Sequence, residues 1–147
     1  MEHKLFSKYV YQYWVDNWDE NKKAINDLID ESKFSRNSNQ WFDSDRDNNN
    51  NSYTDAFVKI IENELQMFMF ETGIKNIDVN EVWTVRYSKG DFHPPHTHSS
   101  LGYSGILYLD YDEEEHTPVW FVNKDNNPVT DRTDYCVPDV YESGIVI

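Results

Sequence analysis

The residues of this chain best suited to chemistry are three histidines within six consecutive positions, His93, His96 and His98. Side chains two positions apart in a strand point to the same face, so His96 and His98 would face one way. Two imidazoles on one face can bind the same metal ion, and imidazole suits iron, zinc, copper and nickel. The spacing predicts a metal site at His96 and His98, with His93 as a supporting residue or substitute ligand.

The residues on either side of the histidines favour extended structure. Pro94 and Pro95 are incompatible with a helix interior and bias the residue before them towards extended geometry. Residues 103–111 are rich in β-branched and aromatic side chains, which is typical of a strand. We therefore expect His96 and His98 to enter a strand. The alternative is that they are loop histidines beside a Pro-Pro turn.

Three segments together resemble a known family. Residues 83–90 (WTVRYSKG), His96-Thr-His98 and residues 104–108 (SGILY) are similar to a small family of 2-oxoglutarate/Fe(II) oxygenases found in marine bacteria and phages. The spacing from Gly90 to the histidines also resembles the first half of the cupin motif. Both families share the double-stranded β-helix, a jelly roll. The resemblance therefore implies an α+β fold, a cupin-like jelly roll with two N-terminal helices packed on one face.

The same resemblance implies a chemistry. It implies that the chain is a hydroxylase-type dioxygenase of unknown substrate. It also implies Fe(II) and the small-molecule co-substrate 2-oxoglutarate as cofactors, with His96 as a metal ligand. Tyrosine has an apolar body and one hydroxyl, which makes Tyr87, Tyr103 and Tyr108 candidates for polar contacts in the cofactor pocket. The other interpretation of each tyrosine is ordinary packing in a strand.

Two other function classes stay open. One is a cupin-like metal protein that does not use 2-oxoglutarate; the glutamate expected shortly after the second histidine is replaced by Gly102 and Tyr103. The other is a non-enzymatic jelly-roll interaction protein whose histidines are incidental. His116 is a possible third ligand, but its position beside the acidic residues 112–115 favours a solvated surface histidine.

The C-terminal residues end in an apolar run at Ile147. In the resembled family the following segment supplies a distal metal-binding histidine and a basic residue for 2-oxoglutarate. We therefore expect a single domain over residues 1–147 that is C-terminally incomplete and possibly inactive as a fragment. An open strand end would also favour a homodimer through the sheet edge.

Composition restricts the partners. At 147 residues, with 16% aromatic side chains, the chain is long enough for one domain with a substantial core. Its formal net charge of −14 argues against binding to nucleic acid or anionic membranes. The single cysteine, Cys136, cannot form an internal disulfide, which fits a reducing, cytoplasmic setting. No apolar run reaches membrane length.

Hydrophobic periodicity predicts the elements. The alternating Tyr9, Tyr11, Tyr13 and Val15 predict a strand, and a helix is expected over residues 19–33. A second helix over 54–72 would begin at a capping box at Ser52 and stop at Gly73, after a polar loop that Trp41 and Phe42 fix to the core. Further strands are expected over residues 82–87, 103–111, 118–122, 135–137 and 144–147.

Overall fold

The described part of the chain mixes α-helices with short β-strands. The computed structural model describes residues 2–5, 8–38, 40–49, 52–98, 102–112, 114–121, 135–136 and 144–147. In chain order its elements are β1 (Glu2–Leu5), β2 (Lys8–Trp14), α1 (Trp18–Leu28), β3 (Asp43–Ser44), α2 (Arg46–Asn49), α3 (Thr54–Ile60), α4 (Glu62–Thr72), β4 (Val85–Arg86), β5 (Ile106–Leu107), β6 (Trp120–Phe121), β7 (Tyr135–Cys136) and β8 (Gly144–Val146).

The chain divides into two units, residues 1–15 with 97–147, and residues 16–96. The first unit contains an antiparallel sheet in the order β1-β2-β8-β5 and a separate antiparallel pair, β6-β7. The second contains the helices and the antiparallel pair β3-β4. The mixture of helix and strand agrees with the predicted class. The jelly roll and the single domain stay predictions.

The predicted alternating strand is present as β2, but both of its faces are covered. Tyr11 and Tyr13 are buried on one face, and Val10 and Gln12 are buried on the other. Alternation in the sequence is typical of a strand with one wet face. Here Gln12, the polar residue between the tyrosines, is itself buried, so the middle of β2 has no wet face.

The C-terminal strand is paired on both sides. Strand β8 lies between β2 and β5, with Tyr13 opposite Ile145 and Leu107 opposite the same residue. The backbone of Ile147 also exchanges two hydrogen bonds with Tyr11, of 2.8 and 2.9 Å. The expectation of an open strand end is therefore wrong. The homodimer that it favoured stays a prediction without that support.

The helical unit begins at a left-handed residue. Asn17 has a φ of 49°, which Asn tolerates better than most residues, and its carbonyl accepts hydrogen bonds from the amides of Glu20 and Asn21. Its side chain does not cap the helix. Helix α1 ends at Leu28, short of the predicted Lys33. A 3-10 turn then follows at Glu31–Lys33, where the Asp30 carboxylate accepts from the amide of Ser32.

The second predicted helix is interrupted once. It forms two helices, α3 and α4, that meet at Ile61, whose φ and ψ are −100° and 20°. Gly73 ends α4 with a φ of 72°, as predicted, because glycine has no Cβ to clash in that conformation. The capping box is wrong: the residue before the helix is Tyr53, and no side chain caps it.

The core of this unit lies where the helices meet. Helix α3 packs against both α1 and α4. The buried apolar side chains come from these helices and from the segment before them, namely Ile25, Phe42, Tyr53, Ile61, Leu65 and Phe68. The predicted role of residues 41 and 42 is confirmed for Phe42, which is buried, whereas Trp41 is half exposed.

The pair β3-β4 joins this core to the histidine segment. Asp45, which follows β3, is fully buried. One carboxylate oxygen accepts the amide of Thr84 at 2.7 Å, and the other accepts the hydroxyl of Tyr53 at 2.9 Å. A buried carboxylate needs such partners, because leaving it unpaired is costly. The strand that leads to Tyr87 is therefore fixed to the start of α3.

The strands near the predicted site are shorter than expected. Pairing over 82–87 is confined to β4, over 103–111 to β5, and over the described part of 118–122 to β6. Residue 122 and residue 137 lie outside the described residues. Periodicity in the sequence therefore located the strands without giving their lengths.

Two phenylalanines of α4 differ in burial, and this difference predicts different effects on stability. Phe68 is 0% exposed and Phe70 is 89% exposed. We expect Phe68→Ala to lower the free energy of unfolding by about 3–5 kcal/mol, because it opens a cavity in the core. The matched control Phe70→Ala should change it by less than about 0.5 kcal/mol. Urea unfolding followed by circular dichroism measures both. Equal losses would show that the helix face is assigned incorrectly.

Candidate functional site

A tight turn precedes the histidines. The amide of Asp91 donates to the carbonyl of Ser88 at 2.8 Å, and the amide of Ser88 donates to the Asp91 carboxylate at 2.8 Å. Gly90, inside this turn, has a φ of 89°, a conformation that favours glycine. The turn thus reverses the chain after Tyr87 and begins the segment that carries His93 and His96.

Arg36 fixes the turn from another part of the unit. Its guanidinium donates to both oxygens of Asp91, at 2.9 and 2.5 Å, and to both oxygens of Asp43, at 3.1 and 3.4 Å. The Arg36 guanidinium, followed by the Ser88 amide, holds the pKa of the Asp91 carboxyl below its usual range. Asp91 is thus bound by the Arg36 side chain and by the Ser88 backbone.

Three rings form a stack along the histidine segment. Phe42 and His93 have centroids 4.4 Å apart, and His93 and His96 have centroids 4.5 Å apart, with planes inclined by 27° and 21°. The Tyr87 hydroxyl lies 3.2 Å from Nδ1 of His93. His93 therefore lies between Phe42 and His96, in a position to support the His96 ring.

The Tyr87 hydroxyl keeps its proton at neutral pH. Partial burial of the side chain raises the pKa of Tyr87 above its ordinary value. A phenol is neutral below its pKa, so it can donate or accept at the His93 ring. Arg86, the preceding residue, stacks over Phe34 and pairs with Glu31.

The ring of His96 has a defined tautomer. Its Nδ1 lies 3.1 Å from the backbone carbonyl of Pro94. A carbonyl can only accept, so Nδ1 carries the proton, and in the neutral ring the lone pair is on Nε2. Histidines that bind metals usually donate their other N–H to an oxygen in this way.

His98 belongs to the other unit and has its own oxygen partner. Ser104 Oγ lies 2.9 Å from Nδ1 of His98. Residues 91–98 form no strand, and residues 99–101 lie outside the described residues. The expectation that His96 is part of a strand is therefore wrong. Pro94 and Pro95 have no N–H groups, so the backbone there cannot donate to a strand ladder.

The other two predicted tyrosines lie in the unit of His98. Tyr103 is exposed, and Tyr108 is half-buried. The hydroxyl of Tyr108 accepts the amide of Val119 at 3.0 Å, and its ring meets the edge of Tyr111. This hydrogen bond gives the Tyr108 hydroxyl a structural role. Whether either tyrosine contacts a cofactor stays a prediction.

His116 has the opposite tautomer to His96. The amide of Asp112 donates to Nδ1 of His116 at 2.8 Å. The neutral ring therefore has its lone pair on Nδ1 and its proton on Nε2. This lone pair is already used by the backbone, and the side chain is exposed, which agrees with a surface histidine.

The described residues do not bring together three His, Cys, Asp or Glu side chains able to hold a metal ion. Imidazole nitrogen is nonetheless a suitable donor for iron, and His96 has the tautomer of a ligand. The described residues therefore fit an iron centre only as separate imidazoles, those of His96 and His98, each with an oxygen partner at Nδ1. A third donor is not present in the described part of the chain.

Sequence reasoning missed several supporting residues. Arg36 lies 55 positions before Asp91, and Phe42 lies 51 before His93, so no local pattern connects either pair. Ser104 was included in the family-like segment, but its contact with His98 has no sequence signal. The contact between His96 and the Pro94 carbonyl does have a local signal, because a histidine two residues after a proline can fold back onto the proline carbonyl.

Comparison with protein-family models, with curated proteins and with solved structures found no match to this chain. In the residues that the structure describes, no helix combines the length and apolar character needed to cross a membrane.

The two tautomers can be observed directly. When both rings are neutral, we expect the proton of His96 on Nδ1 and that of His116 on Nε2. Long-range ¹H–¹⁵N correlation spectra of histidine-labelled protein distinguish these states, and His96→Ala and His116→Ala assign the signals. The same tautomer at both positions would contradict the Pro94 and Asp112 hydrogen bonds.

The Arg36–Asp91 contact predicts a pH dependence of stability. Because the pKa of Asp91 is lowered in the folded state, its stabilisation is present above the ordinary aspartate pKa and disappears as pH falls through the folded value. We expect Asp91→Asn to be less stable than wild type at neutral pH and to converge with it in acid. Urea midpoints measured across pH test this, with Asp78→Asn as an exposed control that should follow wild type throughout.

Proposed function

We propose that the chain is an Fe(II)/2-oxoglutarate-dependent dioxygenase that hydroxylates its substrate, with His96 and His98 as metal-binding imidazoles. The observation that carries this proposal is the Nδ1 hydrogen bond of His96 to the Pro94 carbonyl, which leaves Nε2 as the donor nitrogen. The two-residue spacing to His98 and the segments that resemble the oxygenase family support it from the sequence.

The surrounding residues have positioning roles in this proposal. His93, stacked between Phe42 and His96, restricts rotation of the His96 ring. The Tyr87 hydroxyl in turn holds His93. A ligand whose ring is fixed before the metal arrives loses less rotational freedom on binding, and so it binds more tightly. When bound, iron and 2-oxoglutarate would supply the activation of dioxygen, and the chain supplies ligand orientation.

We propose that 2-oxoglutarate contacts the three tyrosines predicted from the sequence, Tyr87, Tyr103 and Tyr108. Tyr87 is the best supported of the three, because its neutral hydroxyl is already within hydrogen-bonding distance of the histidine stack. A reducing, cytoplasmic setting is part of the proposal, since Fe(II) persists under such conditions and the chain has a single cysteine.

A second candidate is a metal-binding protein without oxygenase chemistry. It is favoured by the lack of a three-donor cluster in the described residues. Such a protein would bind a divalent transition metal at the imidazoles and gain nothing from 2-oxoglutarate. The dependence of metal binding on that co-substrate separates the two candidates.

Metal titration of the purified full chain tests the proposal. We expect Fe(II), added anaerobically and followed by calorimetry, to bind wild type and to bind more tightly with 2-oxoglutarate present. His96→Ala and His98→Ala should each weaken binding more than about tenfold, because even the outer partners of a ligand are worth roughly 10–100-fold. His116→Ala is the matched control and should bind as wild type.

Each contrary outcome has a defined meaning. Binding that 2-oxoglutarate does not strengthen would favour the second candidate. Binding that His116→Ala removes, or that both His96→Ala and His98→Ala retain, would place the metal elsewhere. A protein that binds no Fe(II) with or without 2-oxoglutarate would refute the oxygenase, and one that also binds no Zn(II) would refute the second candidate as well.

A further inference from the structure

An exposed pair of aromatic rings lies beside the histidine stack. Trp41 and Phe92 have centroids 5.3 Å apart and planes inclined by 28°, and they are 48% and 50% exposed. The amide of Phe92 donates to the carbonyl of Trp41 at 3.1 Å, which fixes the two backbones side by side. We call these two side chains the aromatic pair.

The aromatic pair is held in place before any ligand binds. Phe42, the residue after Trp41, is buried, and it stacks on His93, the residue after Phe92. Asp91, the residue before Phe92, is bound by Arg36. The backbone on both sides of each ring is therefore fixed, and two large apolar side chains are nevertheless left half in water. Rings fixed in this way offer a preformed apolar surface on which a ligand can bind.

The charges next to the pair are of both signs, on a chain that is strongly acidic as a whole. Asp91 precedes Phe92, and Asp43 lies two residues after Trp41; both carboxylates share the single guanidinium of Arg36. Lys89, two residues before Asp91, is a second cation, so these four neighbouring groups balance. The whole chain carries −14. This field repels anions such as phosphate groups and attracts cations.

We propose that the aromatic pair binds a basic peptide by receiving an arginine or lysine side chain on its rings. A cation over an aromatic face is attracted by the ring quadrupole, and tryptophan is the strongest acceptor. The net charge of the chain, −14, complements the rest of a basic segment. Charge and ring chemistry thus point to the same partner, whereas an exposed ring pair alone would not distinguish a cation from a sugar.

The aromatic pair adjoins the histidine stack, so a peptide bound there would lie beside the proposed metal ligands. Trp41 and Phe92 are the chain neighbours of Phe42 and His93, whose rings are 4.4 Å apart. A side chain bound on the pair would hold the rest of the peptide next to the imidazoles. The inference therefore names basic peptides as the substrate class of the proposed dioxygenase. It depends on that function for turnover but not for binding.

Binding is tested with the full chain in the absence of metal. The probe is a fluorescently labelled arginine-rich peptide, and its anisotropy is measured over a range of salt concentrations. We expect Trp41→Ala and Phe92→Ala each to weaken binding by about threefold or more, in line with a cation–π contact. Trp120→Ala removes a tryptophan that is 54% exposed in the other unit and should leave binding unchanged. All variants keep the net charge, so general attraction is constant.

A second measurement does not depend on the stability of an alanine variant. In ¹⁵N-tryptophan-labelled wild type, with the Trp41 indole signal assigned by Trp41→Phe, the peptide should shift that signal more than the other indole signals. No binding, equal binding by the Trp41→Ala and Trp120→Ala variants, or an unshifted Trp41 signal would overturn the inference. So would tighter binding of a single-stranded oligonucleotide or of a neutral oligosaccharide.

The outcome is distinguishable from that of the metal titration. If iron binding fails and the peptide still binds at Trp41, the peptide site stands and the oxygenase proposal does not. If iron binds with 2-oxoglutarate and the peptide does not bind, the substrate class is wrong and the oxygenase proposal is unaffected.

Discussion

The buried carboxylate of Asp45 is the constraint on which the helical unit depends. It accepts hydrogen bonds from the Thr84 amide and the Tyr53 hydroxyl, and its own amide donates to the Thr84 carbonyl. A buried carboxylate requires partners, so the start of α3 and the approach to β4 must meet at this point. The segment that carries Tyr87 and the histidines begins there. Glu64, by contrast, is buried with a carboxylate oxygen that finds no hydrogen-bond partner in the described residues, so it cannot play the same part.

The histidine segment itself is held by surface contacts. His93 and His96 are exposed, and their positions depend on ring stacking, on the turn at Gly90 and on Arg36. Exposed ion pairs usually contribute little, but a fork of hydrogen bonds to Asp91 is more specific than a single contact. The site is thus positioned by many modest interactions around a rigid base.

The sequence predicted those features that local energetics decide. The alternation around Tyr13 gave β2, helical spacing gave α3 and α4, and Gly73 gave the end of α4 because a left-handed residue there favours glycine. The contact between Arg36 and Asp91 joins residues 55 positions apart, and no local window of sequence contains both. Helical spacing continues through Ile61, so it does not reveal the break there. The resemblance to the oxygenase family also rests on local segments, which is why its prediction of ligands carries no mutual geometry.

His96 and His116 differ in their ring tautomers, a property that a sequence motif does not show. Both are exposed histidines, and residue type alone makes them equal candidates for a metal. The partner of Nδ1 separates them: a carbonyl at His96 requires the proton on Nδ1, whereas an amide at His116 requires the lone pair there. The position of the ring proton is therefore set by one backbone group. At His96 that group is the carbonyl of Pro94, so the Pro-Pro segment that prevents a strand also fixes the tautomer of the ring.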